Sequence, residues 1–297
     1  MMEAMTMNAA ELTSRFRIAG VVEFAETEHG LVKATVARAG MTGELYLQGA
    51  HVTAWQPAGA RPVIFTSSRA IFAPGKAIRG GIPVIFPWFG PHPTDPTQPQ
   101  HGVVRTAMWQ LDQVEQSAEG VSLELSLTPA GFALRYRIVF GEELQLSLTV
   151  QNTATGAVSF EEALHSYFAV SDVERVAVSG LEACSFIDKT TGMQLCPPAG
   201  APLTLSKETD RVYLNTPDSR AINDPGWGRR IVVATAASAS TIVWNPWPEK
   251  AAAMADLGAD NWRGMICVET GNAADNRVHL PPGGTHEMTT RITVDAG

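Results

Sequence analysis

Through the middle of the chain, apolar and polar positions alternate with a period of two. In "VSLELSLT" Val121, Leu123, Leu125 and Leu127 fall on one side, and Ser122, Glu124, Ser126 and Thr128 on the other. "LRYRIVF" repeats the alternation with Leu134, Tyr136, Ile138 and Phe140, and "LQLSLTV" with Leu144, Leu146, Leu148 and Val150. The connecting "PAGFA" and "GEE" are turn-like, so the three runs predict an antiparallel meander with one face on a core. "GLVKATVARAGMTGELYLQ" before it, and "IVVATAASASTIVW" and "TTRITV" after it, extend the strand-rich pattern. Helical periodicity is scarce: "AAELTSRF" near the start and "PEKAAAMADLG" near 250.

An all-β chain of 297 residues with Gly/Pro-rich connections predicts one large sandwich rather than repeated modules. No repeat of fixed period and no low-complexity linker divides it. Residues 1–20 read as an N-terminal extension, a short helix or partly ordered segment, and 21–297 as a single domain. The Pro-rich "GPHPTDPTQPQHG" is too short for a domain linker and is expected to be a long ordered loop, where sites tend to lie.

Composition narrows the function. Hydrophobic residues at 45% and charged residues at 18% suit a globular core. With 22 Lys and Arg against 30 Asp and Glu, the net charge of -8 argues against a nucleic-acid or anionic-membrane surface. A small anionic ligand remains open, because it needs only two or three well-placed arginines. Cys184, Cys196 and Cys267 lack metal-ligand spacing and are odd in number, which predicts no disulfide framework and fits a reducing cytoplasm. No secretory signal and no membrane span is expected.

Several residues carry candidate chemistry. In "KAIRGGIPVIFPWFG", Arg79 stands beside Gly80-Gly81, where a ligand could approach the backbone. Arg105 follows on the other side of the Pro-rich loop, and two flanking arginines suggest an anion pocket. "FEEALHSYFAV" puts His165 and Tyr167 on one strand face; His165 suits a general acid, although the segment alone favours a structural histidine with its ring nitrogens satisfied by neighbours. In "GMICVETGNA", Met265, Cys267 and Glu269 share a face. Glu269 is expected at a strand end, partly desolvated and with a raised pKa, or else simply exposed. There is no P-loop, no dinucleotide-binding glycine pattern, no H-E-x-x-H and no G-x-S-x-G. His51, His92 and His101 form no metal set with nearby carboxylates.

"KAIRGGIPVIFPWFG", "PQHGVVR", "LHSYF", "ETDRVY", "VWNPWPEKAAAMADLG" and "CVETGNA" follow one another as they do in the aldose 1-epimerase (galactose mutarotase-like) superfamily. The chain resembles its D-hexose-6-phosphate mutarotase branch, glucose-6-phosphate 1-epimerase, from about Gly43 to the C-terminus. The resemblance implies a β-supersandwich of large antiparallel sheets with a concave sugar site. It implies His165 as general acid and Glu269 as general base. It further implies Arg79, Gln100 and Arg105 as phosphate and sugar binders, with Asp210 and, more weakly, His101 on the sugar. Trp244 and Trp247 are expected mainly to pack. The implied enzyme is a monomer acting on a small-molecule hexose 6-phosphate, with no metal or redox cofactor.

Interconverting anomers needs removal of the C1 hydroxyl proton and protonation of the ring oxygen, ring opening, rotation about C1–C2 and closure. The expectation is a Glu269 carboxylate and a His165 imidazolium on opposite sides of the ring. Arg79 is expected beside two glycines so that the 6-phosphate can reach it, with Arg105 completing the clamp. Two further classes compete: a non-catalytic sugar-phosphate sensor or partner protein, and a glycoside hydrolase using Glu161 or Glu162 as a second carboxylate.

Overall fold

The computed structural model describes residues 7–296. The alternating runs form the strands Gly120–Leu127, Phe132–Gly141 and Leu144–Asn152, consecutive antiparallel neighbours. Their inward sets are buried as the alternation predicts; Leu144, Leu146, Leu148 and Val150 have no exposed surface. These three belong to a nine-stranded sheet with Gln110–Gln116 at one edge and Leu203–Thr204 at the other. The long strand Thr285–Ala296 joins the meander to Arg229–Ala236.

A second sheet has eight strands. Its middle runs Thr209–Leu214, Ser240–Asn245, Met265–Asn272 and Glu162–Leu164, with the short Val84–Ile85 beyond. Tyr167–Ala169 also pairs with Met265–Asn272. A four-stranded sheet from Val22–Glu26 to His51–Gln56 packs alongside. One hydrophobic cluster draws on all three sheets, through residues such as Val52, Leu146, Val243 and Val268.

Helices are few, as the sequence predicts. Ala9–Phe16 is capped by Asn8, whose side chain accepts from Glu11 N–H while the Glu11 carboxylate accepts from Asn8 N–H. Leu12 on this helix is fully buried. The second helix, Trp247–Ala253, follows Asn245, whose side-chain oxygen accepts from Trp247 N–H.

Period two also sets which face does what. On Met265–Asn272, Ile266 and Val268 enter the main core. Met265 and Cys267 pack with Tyr167 and Trp244 in a separate cluster on the opposite face. That opposite face, which also carries Glu269, is where a cleft opens.

Candidate active site

Glu269 lines a cleft of about 370 Å³ together with Tyr167 and Trp244, within the ~300–1,000 Å³ usual for small-molecule sites. All seven residues singled out from the sequence line it: His165, Glu269 and Asp210 with Arg79, Gln100, His101 and Arg105.

The acid and base candidates are cross-strand neighbours. Glu162–Leu164 and Tyr167–Ala169 pair with Met265–Asn272 in one continuous register, with Leu164 opposite Thr270 and Tyr167 opposite Cys267. This sets His165 directly across from Glu269, and His165 Nδ1 lies 3.4 Å from Glu269 Oε1. No sugar ring fits between groups this close, so the two side chains face the cleft from one side rather than from the opposite sides expected. Nor is Glu269 at a strand end. The strand continues to Asn272, and the Glu269 side chain is 1% exposed.

His165 is held on all sides. Its N–H donates to the Pro83 carbonyl at 3.0 Å, and Tyr167 N–H donates to the Gly81 carbonyl at 3.0 Å. The Tyr167 ring stacks on the imidazole with centroids 4.8 Å apart and planes at 11°. Burial pushes the His165 pKa well below its ordinary value, and His101, Arg105 and Arg79 push the same way. Burial pushes Glu269 well up, reinforced by Asp210 and opposed by Lys189. Both groups therefore favour neutral forms in the free protein, against the expected carboxylate and imidazolium. The two descriptions hold the same single proton and differ in which side of the 3.4 Å contact carries it.

The arginines frame the rim. Arg79 donates to Tyr167 Oη at 3.1 Å and to Asp256 Oδ2 at 3.1 Å. Burial lowers its pKa, but Tyr167 and Asp256 outweigh that and the net shift is upward. Arg105 donates to the Gln100 carbonyl at 2.8 Å; burial lowers its pKa, and among its neighbours Arg79 adds to the fall. His101 has φ of 66° and its Nδ1 accepts from Gly90 N–H at 3.3 Å. That bond leaves the ring proton on Nε2. Burial, with Arg105, Lys189 and Arg79, lowers the His101 pKa to about 3. Asp210 pairs with Lys189 at 3.2 Å, and Lys189 lies 5.2 Å from the Phe89 ring centre.

Gly80 and Gly81 serve a different end from the one expected. They have φ of 102° and 70°, and a Cβ on Gly80 would lie 2.5 Å from Thr66 Cα. A Cβ on Gly81 would lie 2.4 Å from both His51 Nε2 and the Val52 carbonyl oxygen. The glycines answer to close packing of chain on chain rather than to the approach of a ligand. His51 Nε2–H donates to the Gly80 carbonyl at 2.8 Å and locks the turn that carries Arg79.

Glu161 and Glu162 lie outside the cleft lining. Glu161 accepts from the N–H groups of Phe89 and Ala274, and Glu162 meets His286 at 2.8 Å. The second carboxylate a hydrolase would draw from them is absent. Trp244 lines the floor, whereas Trp247 packs on Trp262 with centroids 4.6 Å apart. Lys189 and Asp256 were missed by the sequence: Lys189 opens a short 3-10 helix with no periodic signal, and Asp256 falls in the turn just past the helix Trp247–Ala253, in a segment whose helical pattern said nothing of its partner. Tyr167 had a signal, its position two residues beyond His165.

The sequence profile of a family described as aldose 1-epimerase matches residues 33–293. A protein of Cenchrus ciliaris provisionally named glucose-6-phosphate 1-epimerase is 34% identical over 293 residues, 92% of this chain and 87% of the relative. One of the same provisional name from Escherichia coli K12 is 35% identical, covering 84% of this chain and 83% of its own. The crystal structure of a provisionally assigned mutarotase from Salmonella typhimurium superposes with a TM-score of 0.88 at 29% identity, over 95% of this chain and 96% of that one. Galactose 1-epimerase from Lactobacillus acidophilus shares the fold, with a TM-score of 0.71 at 14% identity over 93% and 99% of the two chains.

Proposed function

Because the chain belongs to the aldose 1-epimerase family, we propose that it interconverts the α and β anomers of a hexose 6-phosphate, with Glu269 as base and His165 as acid. The protein is an isomerase of carbohydrates, and the non-catalytic sensor is not favoured. The observation that carries the assignment of roles is the 3.4 Å contact of His165 with Glu269 in a cleft also lined by Arg79 and Arg105. The provisional glucose 6-phosphate name of two relatives supports the same substrate class.

The geometry suits the reaction because O1 and O5 are both bonded to C1. A paired acid and base can reach these two oxygens from one side. The Glu269 carboxylate takes the C1 hydroxyl proton while the His165 imidazolium protonates O5. The C1–O5 bond breaks, and the electrons left on O1 form the aldehyde. Rotation about C1–C2 presents the other carbonyl face, and closure returns both protons. The phosphate dianion helps at the outset: by neutralising Arg79 and Arg105 it removes two of the charges that disfavour the imidazolium. Positioning supplies much of the remainder, since the reaction already proceeds in water.

We assign Arg79 and Arg105 to the phosphate, with Gln100, His101 and Asp210 on the sugar hydroxyls. The neutral His101 can donate there through Nε2–H. Three free cysteines support action in a reducing cytoplasm, and the family resemblance supports a monomer. Among the described residues no helix is long and apolar enough to cross a membrane.

The test is anomer exchange by NMR magnetisation transfer on glucose 6-phosphate and, separately, glucose, with His165→Ala as control. Acceleration of the phosphorylated sugar alone, lost in the control, is expected. Binding without acceleration would return the protein to the sensor class, and preference for free glucose would discard the phosphate clamp.

A further inference from the structure

We propose that Cys267, His165 and Glu269 form a zinc-binding site at the cleft, with Cys267 buried behind the two residues that line it, through which a thiophilic divalent cation switches the enzyme off. The three offer one sulfur, one imidazole nitrogen and one carboxylate oxygen, all within 4.8 Å of one another. Cys267 and Glu269 stand two residues apart on one strand and so share a face, and His165 lies between the two segments, Glu162–Leu164 and Tyr167–Ala169, that pair with that strand. Three protein ligands of mixed S, N and O type, with a fourth position open towards a cleft, match what zinc accepts at accessible sites.

Two further observations point to a ligand here. Glu269 Oε2 and His165 Nδ1 are buried and have no hydrogen-bond partner, and the Glu269 side chain is only 1% exposed. Unpartnered polar atoms of this kind are costly unless something binds them. The second is Cys267 itself. It is fully buried against the acid–base pair, yet the anomer exchange described above gives its thiol nothing to do. On binding, the thiol proton and the proton shared by Glu269 and His165 both leave to solvent as the sulfur–metal bond forms, and carboxylate and imidazole each donate a lone pair. A metal held this way occupies both proton-moving groups, so it inhibits rather than catalyses. The inhibition rests on the acid–base reading of this pair, whereas the metal site itself does not.

Cobalt(II) tests the two separately, because a thiolate ligand gives it a near-ultraviolet charge-transfer band. Titrated into the full chain, cobalt should produce that band at one equivalent, and zinc should abolish it by displacement. Cys267→Ser and Cys267→Ala should lose the band, while Cys184→Ser and Cys196→Ser keep it. Zinc should also slow anomer exchange, reversibly with EDTA, and at least ~10-fold more zinc should be needed in Cys267→Ser, since even outer-shell losses cost that much affinity. A band missing from the wild type, or surviving in both Cys267 variants, overturns the site. A Cys267-dependent band in a metal-free protein that exchanges no anomers would uphold the site and overturn the epimerase assignment instead.

Discussion

Arg79 grips Asp256, 177 positions further along the chain, through both Nε and Nη2 at 3.1 Å. One of the two guanidiniums assigned to the phosphate is thus already partnered by a carboxylate, while Arg105 donates only to a carbonyl in the side-chain bonds formed among the described residues. Asp256 offsets the two like charges at one end of the cleft.

Asp256→Asn should expose that repulsion. It keeps the size and an acceptor for Arg79 but removes the charge, and the half-buried pair is worth roughly 1–2 kcal/mol, between surface and fully buried examples. The variant should melt lower without anion, and inorganic phosphate should raise its Tm by more than it raises that of the wild type. An equal or smaller increment would show that the arginines do not share one anion.

Arg79→Ala removes one charge-assisted contact of roughly 1.5–3 kcal/mol. KM for glucose 6-phosphate should rise ~10-fold or more, and exchange of unphosphorylated glucose should change less than about 2-fold. Magnetisation transfer across a concentration series separates the two. An unchanged KM would remove Arg79 from the phosphate.

The pH profile follows from the shared proton. His165 is lowered and Glu269 raised, so the one-proton state of the pair spans a wide interval. kcat/KM, corrected for the second phosphate ionisation near ~6, should fall on the acid side only well below the free-imidazole range, as the direction of the His165 shift requires. An acid limb centred near ~6.5, the value of a free imidazole, would contradict the desolvation of His165.

Stability should behave differently. His51 is lowered by burial to about 4 and His101 to about 3, with His165 lowered as well. Below about pH 6.5 the unfolded chain binds protons that the folded chain refuses, so stability falls as pH drops towards those folded values. His51 alone accounts for about 3 kcal/mol between pH 6.5 and 4, at ~1.4 kcal/mol per unit. His286, raised chiefly by its hydrogen bond to Glu162, works in the opposite sense. Denaturant midpoints measured from pH 7.5 to 4.5 should show the loss, and His51→Gln should flatten it. A slope unchanged in that variant would mean His51 titrates normally.

Gly81→Ala should be severe. The added methyl meets His51 and the Val52 carbonyl at a φ of 70°, and the Gly81 carbonyl is the acceptor for Tyr167 N–H beside His165. A cost above ~3 kcal/mol is expected from backbone strain and overpacking together. Thermal melting checks it, and a near-neutral variant would show that the turn relaxes freely.

The meander was legible because each of its strands has one face on the core, so alternation and burial coincide. The site face of Met265–Asn272 was legible for the same reason, and Cys267 and Glu269 do point together. The end of that strand was not. Glu269 is expected to end the strand, yet Thr270, Gly271 and Asn272 continue it, all three buried and paired. Thr270 Oγ1 meets Thr290 Oγ1 at 2.6 Å, Gly271 N–H donates to Ser238 Oγ at 3.1 Å, and Asn272 Nδ2 donates to Glu162 at 2.9 Å. Alternation also gives a side chain's face but never the register of its partner strand. The contact between His165 and Glu269 was therefore invisible until the strands were paired.

That pairing has an evolutionary consequence. The proposed proton-moving residues are held by a hydrogen-bonded ladder, Glu269 within Met265–Asn272 and His165 between the two segments paired with it, while Arg79, Gln100 and His101 come from turns and bends and Arg105 from a short 3-10 helix. Descendants of such a protein can exchange their loops and acquire new sugars while the reaction at C1 passes on unaltered. Grafting the 90–105 segment of a relative with different taste onto this ladder is accordingly a short route to a new specificity.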